Sequence, residues 1–299
     1  MRRSWVRGMI AVLALATGLV AGVAWGIGSL ALRQISRQSA GAVRSARGME
    51  GATFGASDGV KLKGWWWPGE DRTRAVLLLH GLAASRIQMF PRARWLHQRG
   101  YSVLLFDFRG CGESGGKSTL GYSERLDVEA ALDWLRTKKE IRGTALVGQS
   151  MGAAAAVMAV DRWEGVRGAV LEHLYDRLES TLRSRIRSRS GSLEPFLSPL
   201  FLWQVRPRLG FSPEDLAPLD RIGRVRCPVL LGFGGRDETL DATKSQALFR
   251  AVPGECTFWM LPQAGHQDLY RFEQAWYQAK VGEFLGRTLG PPVLKDGER

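Results

Sequence analysis

Short apolar runs alternate with amphipathic segments along most of this chain. Most of the runs are unalternated and rich in Leu or β-branched residues, as strands buried on both faces should be. Strand–helix alternation over roughly 200 residues predicts an α/β fold, in which a mostly parallel sheet carries helices on both sides. The predicted strands are 75–79, 103–106, 144–147, 169–171, 228–233 and 257–261, and the predicted helices are 87–98, 122–138, 153–160, 241–251 and 268–289.

A hairpin is predicted ahead of the first parallel strand, within residues 51–67, with Ser57-Asp58-Gly59 at its turn. We expect one catalytic domain over residues 50–290, preceded by a basic linker at 33–49 and followed by a C-terminal tail at 291–299. The alternation breaks at about 174–225. A long excursion in an α/β domain is usually functional, so a helical lid is predicted there, with a solvated helical insertion as the alternative.

The N-terminal segment contains no charged residue between Gly8 and Leu32. A helix of that length spans roughly 37 Å, enough to cross a hydrocarbon core of ~30 Å. We therefore expect residues 1–32 to form a single-pass transmembrane helix that anchors the protein in a membrane. Ser29-Leu30-Ala31 fits a cleavage site, so export with a cleaved signal segment is the alternative. Arginines flank both ends, which leaves the side of the membrane undetermined.

The composition bears on partners and cofactors. The formal net charge is +13, which raises the question of nucleic-acid binding. The basic residues are spread along the chain and no nucleic-acid-binding motif is visible, so we expect no nucleic-acid partner. The chain has 3 cysteines and 4 histidines. None of the cysteines forms a CxxC pair, so a zinc cluster or other metal site is not expected.

The segment Gly148-Gln149-Ser150-Met151-Gly152 matches the pattern G-x-S-x-G. A predicted strand precedes it and a predicted helix follows it, which is the context in which this motif forms a sharp strand-to-helix turn. Such a turn lifts the serine hydroxyl above the edge of the sheet, and its glycines let the strained backbone pass without Cβ clashes. The pattern therefore predicts that Ser150 is a nucleophile.

A serine nucleophile needs a base, and the base needs a carboxylate that orients it. These partners follow the serine in the order acid, then histidine. Only His173 and His266 come after Ser150, and no separate strand lies between Ser150 and His173 to supply an acid. We therefore predict His266 as the base and Asp237, which follows the strand at 228–233, as the acid. The alternatives for the acid are Glu238, Asp241, Glu172 and Asp176.

Acyl transfer also needs hydrogen-bond donors for the developing oxyanion. The backbone N–H of Met151, directly after the nucleophile, is one predicted donor. The N–H of Leu82, in the loop after the strand at 75–79, is the other, and His80 is then predicted to shape that loop. The Gly-rich segment 110–115 has the spacing of a dinucleotide-binding loop, but no helix opens directly after it, so that interpretation is weaker.

Five segments resemble the α/β-hydrolase superfamily over about residues 50–290. They are HGL at 80–82, DFRGCGES at 107–114, GQSMG at 148–152, GGRD at 234–237 and GH at 265–266. The arrangement is most similar to bacterial serine hydrolases of the serine aminopeptidase-like, monoacylglycerol-lipase-like and membrane-anchored α/β-hydrolase groups. The resemblance implies an eight-stranded, mostly parallel sheet and a Ser150–His266–Asp237 triad. It also implies that there is no metal or organic cofactor.

Together these features predict a serine hydrolase that cleaves carboxylic ester or thioester bonds through an acyl-enzyme. A serine peptidase or an acyltransferase on the same triad is the alternative, and a non-catalytic membrane-tethered scaffold is a third interpretation. The expected partners are a small-molecule or lipid acyl substrate and a membrane that the N-terminal segment contacts. The oligomeric state does not follow from the sequence.

Overall fold

A computed structural model describes residues 2–37, 47–239 and 242–291 of the chain. The described residues form a single eight-stranded sheet in the order β1-β2-β4-β3-β5-β6-β7-β8. The strands are β1 Glu50–Gly55, β2 Lys61–Trp67, β3 Asp71–Leu79, β4 Tyr101–Asp107, β5 Gly143–Gln149, β6 Val166–Glu172, β7 Val229–Gly234 and β8 Cys256–Leu261. Parts of the predicted linker (38–46) and tail (292–299), and the alternative acid Asp241, lie outside the described residues.

The sheet is mostly parallel, which confirms the predicted fold class. β1 and β2 form the predicted antiparallel hairpin, and β2 also runs antiparallel to β4. All the remaining pairs are parallel, with Leu77 of β3 opposite both Leu104 of β4 and Leu146 of β5. Because these central strands are buried on both faces, their sequences show no alternation of apolar and polar residues.

Helices cover both faces of the sheet. The helices are α1 Arg2–Arg37, α2 Arg86–Gln98, α3 Glu124–Arg136, α4 Met151–Met158, α5 Leu178–Ser190, α6 Glu194–Leu202, α7 Val205–Leu209, α8 Pro218–Ile222, α9 Ala242–Ala251, α10 Leu269–Phe272 and α11 Gln274–Thr288. One apolar core packs α3 and α4 against the sheet, and a second packs α2 and α11 against the opposite face. The predicted helix 268–289 is divided into α10 and α11 at Glu273, whose φ of −143° is not helical.

The insertion, residues 174–225, joins β6 to β7 and contains α5, α6, α7 and α8. Its first two helices are tied together by the buried carboxylate of Glu194 on α6. Glu194 accepts hydrogen bonds from Arg183 at 3.1 Å and from Arg187 at 2.9 Å, both on α5. The insertion is therefore helical, with internal ion pairs.

The predicted membrane anchor is wrong. Within the part of the chain that the structure describes, no helix combines the length and the apolar character that crossing a bilayer requires. The prediction rested on the length of a charge-free segment, and the absence of charge does not by itself make a helix a membrane span. The C-terminal half of α1 contacts the insertion, where the rings of Trp25 and Trp203 lie 5.9 Å apart.

Candidate active site

The turn between β5 and α4 carries Ser150 in a strained conformation. Its φ is 51° and its ψ is −110°, a region that residues with a Cβ rarely adopt. The turn is held at both ends, because the amide of Ser150 donates to the carbonyl of Glu172 at 2.8 Å and its carbonyl accepts from Ala154 at 2.9 Å. The hydroxyl of Ser150 is thereby presented at the carboxyl edge of the sheet.

The two glycines of the motif are required by close backbone packing. A Cβ at Gly148 would lie 2.8 Å from the amide nitrogen of Ala153. A Cβ at Gly152 would lie 2.6 Å from the carbonyl oxygen of His80, at the end of the strand beside it. Both distances are shorter than any carbon contact tolerates, so only glycine lets this turn pack against the loop after β3.

A second pair of glycines brings the loops after β7 and β8 together. A Cβ at Gly234 would lie 2.5 Å from the carbonyl oxygen of Ala264, and one at Gly235 would lie 2.7 Å from that of Pro262. The backbone amide of Arg236 donates to the carbonyl of Ala264 at 2.8 Å. This close approach places the side chain that follows Arg236 next to the loop that ends at His266.

Ser150, His266 and Asp237 form one hydrogen-bonded chain. The Oγ of Ser150 lies 2.9 Å from Nε2 of His266, and Nδ1 of His266 lies 2.7 Å from Oδ2 of Asp237. The other carboxylate oxygen of Asp237 accepts from the amide and hydroxyl of Thr239 at 2.9 and 2.6 Å. The structure thus brings together the three side chains predicted from the sequence, in the order that a general-base mechanism needs.

The alternative acids that the structure describes bind other side chains or face solvent. Glu172 is fully buried and binds Arg92 at 2.7 Å as well as the hydroxyl of Tyr277. The carboxylate of Asp176 accepts a hydrogen bond from Ser180 in the insertion. Glu238 is exposed. Among these described side chains, Asp237 is the one that contacts His266.

A second histidine, His173, contacts Asp237. This contact was not predicted from the sequence. Nδ1 of His173 lies 2.7 Å from Oδ2 of Asp237, the same oxygen that faces His266. Nε2 of His173 lies 2.9 Å from the carbonyl oxygen of Gln267. His173 is buried and its ring centroid is 4.7 Å from that of His266. The sequence places His173 directly after a predicted strand, but only the order of the strands in the sheet, with β6 beside β7, brings it to Asp237.

The electrostatics of the site keep Asp237 ionised and His266 neutral. Burial opposes ionisation of Asp237, but hydrogen bonds from His173, His266 and Thr239 hold its pKa well below its usual range. Burial lowers the pKa of His266, the hydrogen bond to Asp237 and the charge of that carboxylate raise it in part, and the neighbouring His173 and Arg185 lower it further, so the net shift is downward. A neutral imidazole beside a serine hydroxyl is ready to accept a proton.

His173, Asp237 and His266 also offer three potential metal-ligand atoms within 4.8 Å of one another. The Nδ1 atoms of His173 and His266, however, both lie at hydrogen-bond distance from the same oxygen of Asp237, and Nε2 of His266 faces Ser150. The potential ligand atoms are therefore engaged in hydrogen bonds among the three side chains and with Ser150. The arrangement therefore fits proton transfer rather than ligation of an ion.

The two predicted oxyanion donors lie on different elements. Met151 is the first residue of α4, and the first amides of a helix have no partner within it. Leu82 lies in the loop after β3, and the preceding Gly81 is anchored by a 2.8 Å hydrogen bond from its amide to Oε1 of Gln88. The positive end of the α4 dipole also favours negative charge at this position.

The insertion brings one cation near the site. Arg185 on α5 is partly buried, and its charge acts on Asp237 and Tyr175 as well as on His266. Its neighbours Arg183 and Arg187 pair with Glu194 and point elsewhere. Arg185 therefore adds positive potential on the side of the site that faces α5.

The sequence matches a known family model in the region of the nucleophile. The family is described as serine aminopeptidase, S33, and the match covers residues 70–172. The matched region contains the loop with Leu82 and the turn with Ser150, and it ends before Asp237 and His266.

Relatives share most of the chain's length. The chain is 32% identical over 267 residues to uncharacterized protein Rv2307c of Mycobacterium tuberculosis, a match that covers 86% of this chain and 88% of the relative. It is 27% identical over 220 residues to alpha/beta hydrolase domain-containing protein 17C of Xenopus tropicalis, covering 72% of this chain and 62% of that protein.

Solved structures of esterases have a similar fold. The esterase Pf2001 of Pyrococcus furiosus superposes with a TM-score of 0.69 at 26% identity, over 81% of this chain and 92% of that chain. The esterase EaEST of Exiguobacterium antarcticum superposes with a TM-score of 0.60 at 15% identity, over 79% and 99% of the two chains, a likeness of fold alone.

Proposed function

This chain belongs to the α/β-hydrolase superfamily, and on that premise we propose that it is a serine hydrolase that cleaves carboxylic ester or thioester bonds. The observation that carries the proposal is the hydrogen-bonded chain from Ser150 through His266 to Asp237, with distances of 2.9 and 2.7 Å. The strained turn at Ser150 and the glycines around it support the same assignment, because strain of this kind is characteristic of nucleophile turns.

The proposed reaction begins with attack of Ser150 Oγ on the carbonyl carbon of the substrate. Nε2 of His266 takes the hydroxyl proton as the C–O bond to the serine forms. Asp237 stabilises the imidazolium through Nδ1, and the backbone N–H groups of Leu82 and Met151 stabilise the oxyanion. His266 then gives the proton to the departing alcohol or thiol, which leaves the acyl group on Ser150.

Water completes the cycle in the proposed hydrolysis. His266 takes a proton from the water molecule as it attacks the acyl carbonyl, and returns that proton to Ser150 Oγ when the ester bond to the serine breaks. An acyltransferase would use the same steps with another acceptor in place of water. The acyl donor in either case is a small-molecule or lipid substrate.

The charge around His266 favours an ester or thioester over an amino-terminal peptide. An aminopeptidase binds a free ammonium group close to the scissile bond, and carboxylates are the natural partners of that group. The carboxylate of Asp237 is already engaged by His173, His266 and Thr239, while Arg185 adds a positive charge. Two like charges in one cleft repel, so an ammonium group would bind weakly. The family description as serine aminopeptidase keeps a peptidase as the second candidate.

A substrate panel tests the proposal. We expect the purified chain to hydrolyse p-nitrophenyl esters of short acyl chains and an acyl thioester, with little release from aminoacyl-naphthylamides. The Ser150→Ala variant, which lacks the proposed nucleophile, is the negative control for every substrate. Faster turnover of the naphthylamides than of the esters would indicate a peptidase and contradict the proposal. Equal rates for the wild type and Ser150→Ala would show that Ser150 is not the nucleophile.

A further inference from the structure

We propose that His173 is a positively charged positioning residue, held as an imidazolium whose two N–H groups clamp the Asp237 carboxylate to the loop that carries His266. The proposal deepens the proposed function, and its kinetic test rests on it. The starting observation is that both ring nitrogens of a buried histidine face acceptors.

The hydrogen count requires the charged form of His173. A neutral imidazole has one N–H and one lone pair. At His173, one nitrogen lies 2.7 Å from the carboxylate oxygen of Asp237 and the other lies 2.9 Å from the carbonyl oxygen of Gln267. Neither acceptor can donate a proton, so a neutral ring would hold a lone pair against an oxygen at one of the two contacts. The imidazolium satisfies both.

The backbone holds the ring of His173 in this position. Its φ is 50°, in the left-handed region, and its amide donates to the carbonyl of Gly232 on β7 at 2.7 Å. This conformation turns the side chain from the end of β6 toward the loops after β7 and β8. The strain is offset by the two contacts that the ring makes there.

The charged groups around His173 come from β6 and the loop after it, from the loops after β7 and β8, and from α5. Asp237 and His266 face it from the loops after β7 and β8, and Arg185 on α5 acts on both of them. Glu172, the preceding residue, turns to Arg92 and Tyr277. In the loop that follows His173, Tyr175 donates to the carbonyl of Leu120 and Asp176 accepts from Ser180. Asp237 is thus the carboxylate that balances the charge of His173.

Two consequences follow for the proposed catalysis. The N–H of His173 fixes the oxygen of Asp237 that orients His266, so the imidazole of His266 keeps one orientation. The positive charge of His173 also disfavours a second cation at His266, whose ring centroid is 4.7 Å away. His266 therefore stays neutral, and able to act as a base, at lower pH than it would beside an uncharged neighbour.

The kinetic test uses His173→Asn. Asparagine accepts a positive φ more readily than most residues and places an amide N–H close to the position of Nδ1, so the fold and the bond to Asp237 are kept while the charge is lost. We expect the acid limb of kcat/KM for an ester to move upward by about one pH unit. A residue with a merely structural role would lower kcat and leave the acid limb in place, and that result would overturn the proposal.

A second measurement is independent of activity. The chain contains 4 histidines, so the imidazole nitrogens of the ¹⁵N-histidine-labelled Ser150→Ala protein give few NMR signals, and those of His173 are identified by their loss in the double variant with His173→Asn. At pH 7 both nitrogens of His173 should carry a proton. One protonated and one bare nitrogen would contradict the proposal. A protein with no hydrolase activity would refute the proposed function and leave this NMR result valid.

Discussion

His80 and Phe108 are joined by a hydrogen bond of 3.0 Å from the backbone amide of Phe108 to Nε2 of His80. Since Nε2 accepts, the proton of the neutral ring must be on Nδ1, which lies 2.8 Å from the carbonyl oxygen of Gly81. Burial lowers the pKa of His80 and keeps the ring neutral. One buried side chain thus connects the loop after β4 with the loop that presents Leu82.

This contact predicts that His80 positions the N–H of Leu82. In His80→Phe the amide of Phe108 loses its acceptor, and we expect kcat for a p-nitrophenyl ester to fall by about 10- to 100-fold, less than the loss of a whole oxyanion donor. In His80→Gln the side-chain carbonyl can replace Nε2 as an acceptor, so most of the activity should return. Equal losses in both variants would show that the ring has another role.

The pH dependence of catalysis follows from the site. The pKa of His266 is lowered, chiefly by burial, against the partial opposition of Asp237. The free enzyme must have His266 neutral to accept the proton of Ser150, so kcat/KM should rise with pH through the lowered pKa of His266 and level off above it. We expect the midpoint of this acid limb below about 6.5, the ordinary histidine value. A midpoint above 7 would contradict the lowered pKa.

Asp237 and Glu172 should respond differently to neutralisation. Asp237→Asn removes the charge that orients His266, so kcat should fall by about 10⁴, as in other triads. Glu172→Gln leaves the buried guanidinium of Arg92 with a weaker partner, and we expect the free energy of unfolding to fall by about 3 kcal/mol with a smaller change in kcat. Denaturant titrations and ester kinetics on both variants separate the two effects. Similar kcat values would leave the acid unassigned.

Gly152 should tolerate no side chain, and Gly286 offers a matched control. A Cβ at Gly152 would press on the carbonyl oxygen of His80 at 2.6 Å, whereas a Cβ at Gly286, within α11, would meet nothing within 4 Å. We expect Gly152→Ala to lower the free energy of unfolding by about 3 kcal/mol. Gly286→Ala should raise it by up to about 1 kcal/mol, because alanine favours the helix. A stable Gly152→Ala protein would contradict the packing described for the turn.

The parallel sheet was predictable because its signals are local. Buried central strands need continuous apolar runs, and the runs at 75–79 and 144–147 lie within β3 and β5. Chain order and strand ends were enough to select Ser150, His266 and Asp237 as candidates. The anchor at residues 1–32 was predicted from the length of a charge-free segment, and that criterion failed.

Other features depend on the strand order, which no local pattern encodes. His173 reaches Asp237 because β6 lies beside β7 in the sheet. A catalytic triad needs only one base, so the sequence leaves His173 without a role. Arg92 is similar, because nothing in the sequence marks a buried arginine on α2 that binds Glu172, 80 positions further along the chain. Contacts of this kind appear only when the elements are assembled.

Covalent labelling by a fluorophosphonate tests the central claim most directly. The reagent reacts with serine hydroxyls that an adjacent base has activated, and a single mass increase on the peptide that contains Ser150 reports the site. The wild-type protein should be labelled at Ser150, and Ser150→Ala should not be labelled while its circular dichroism spectrum stays unchanged. Labelling that persists in folded Ser150→Ala, or a folded wild-type protein that is never labelled, would contradict the account.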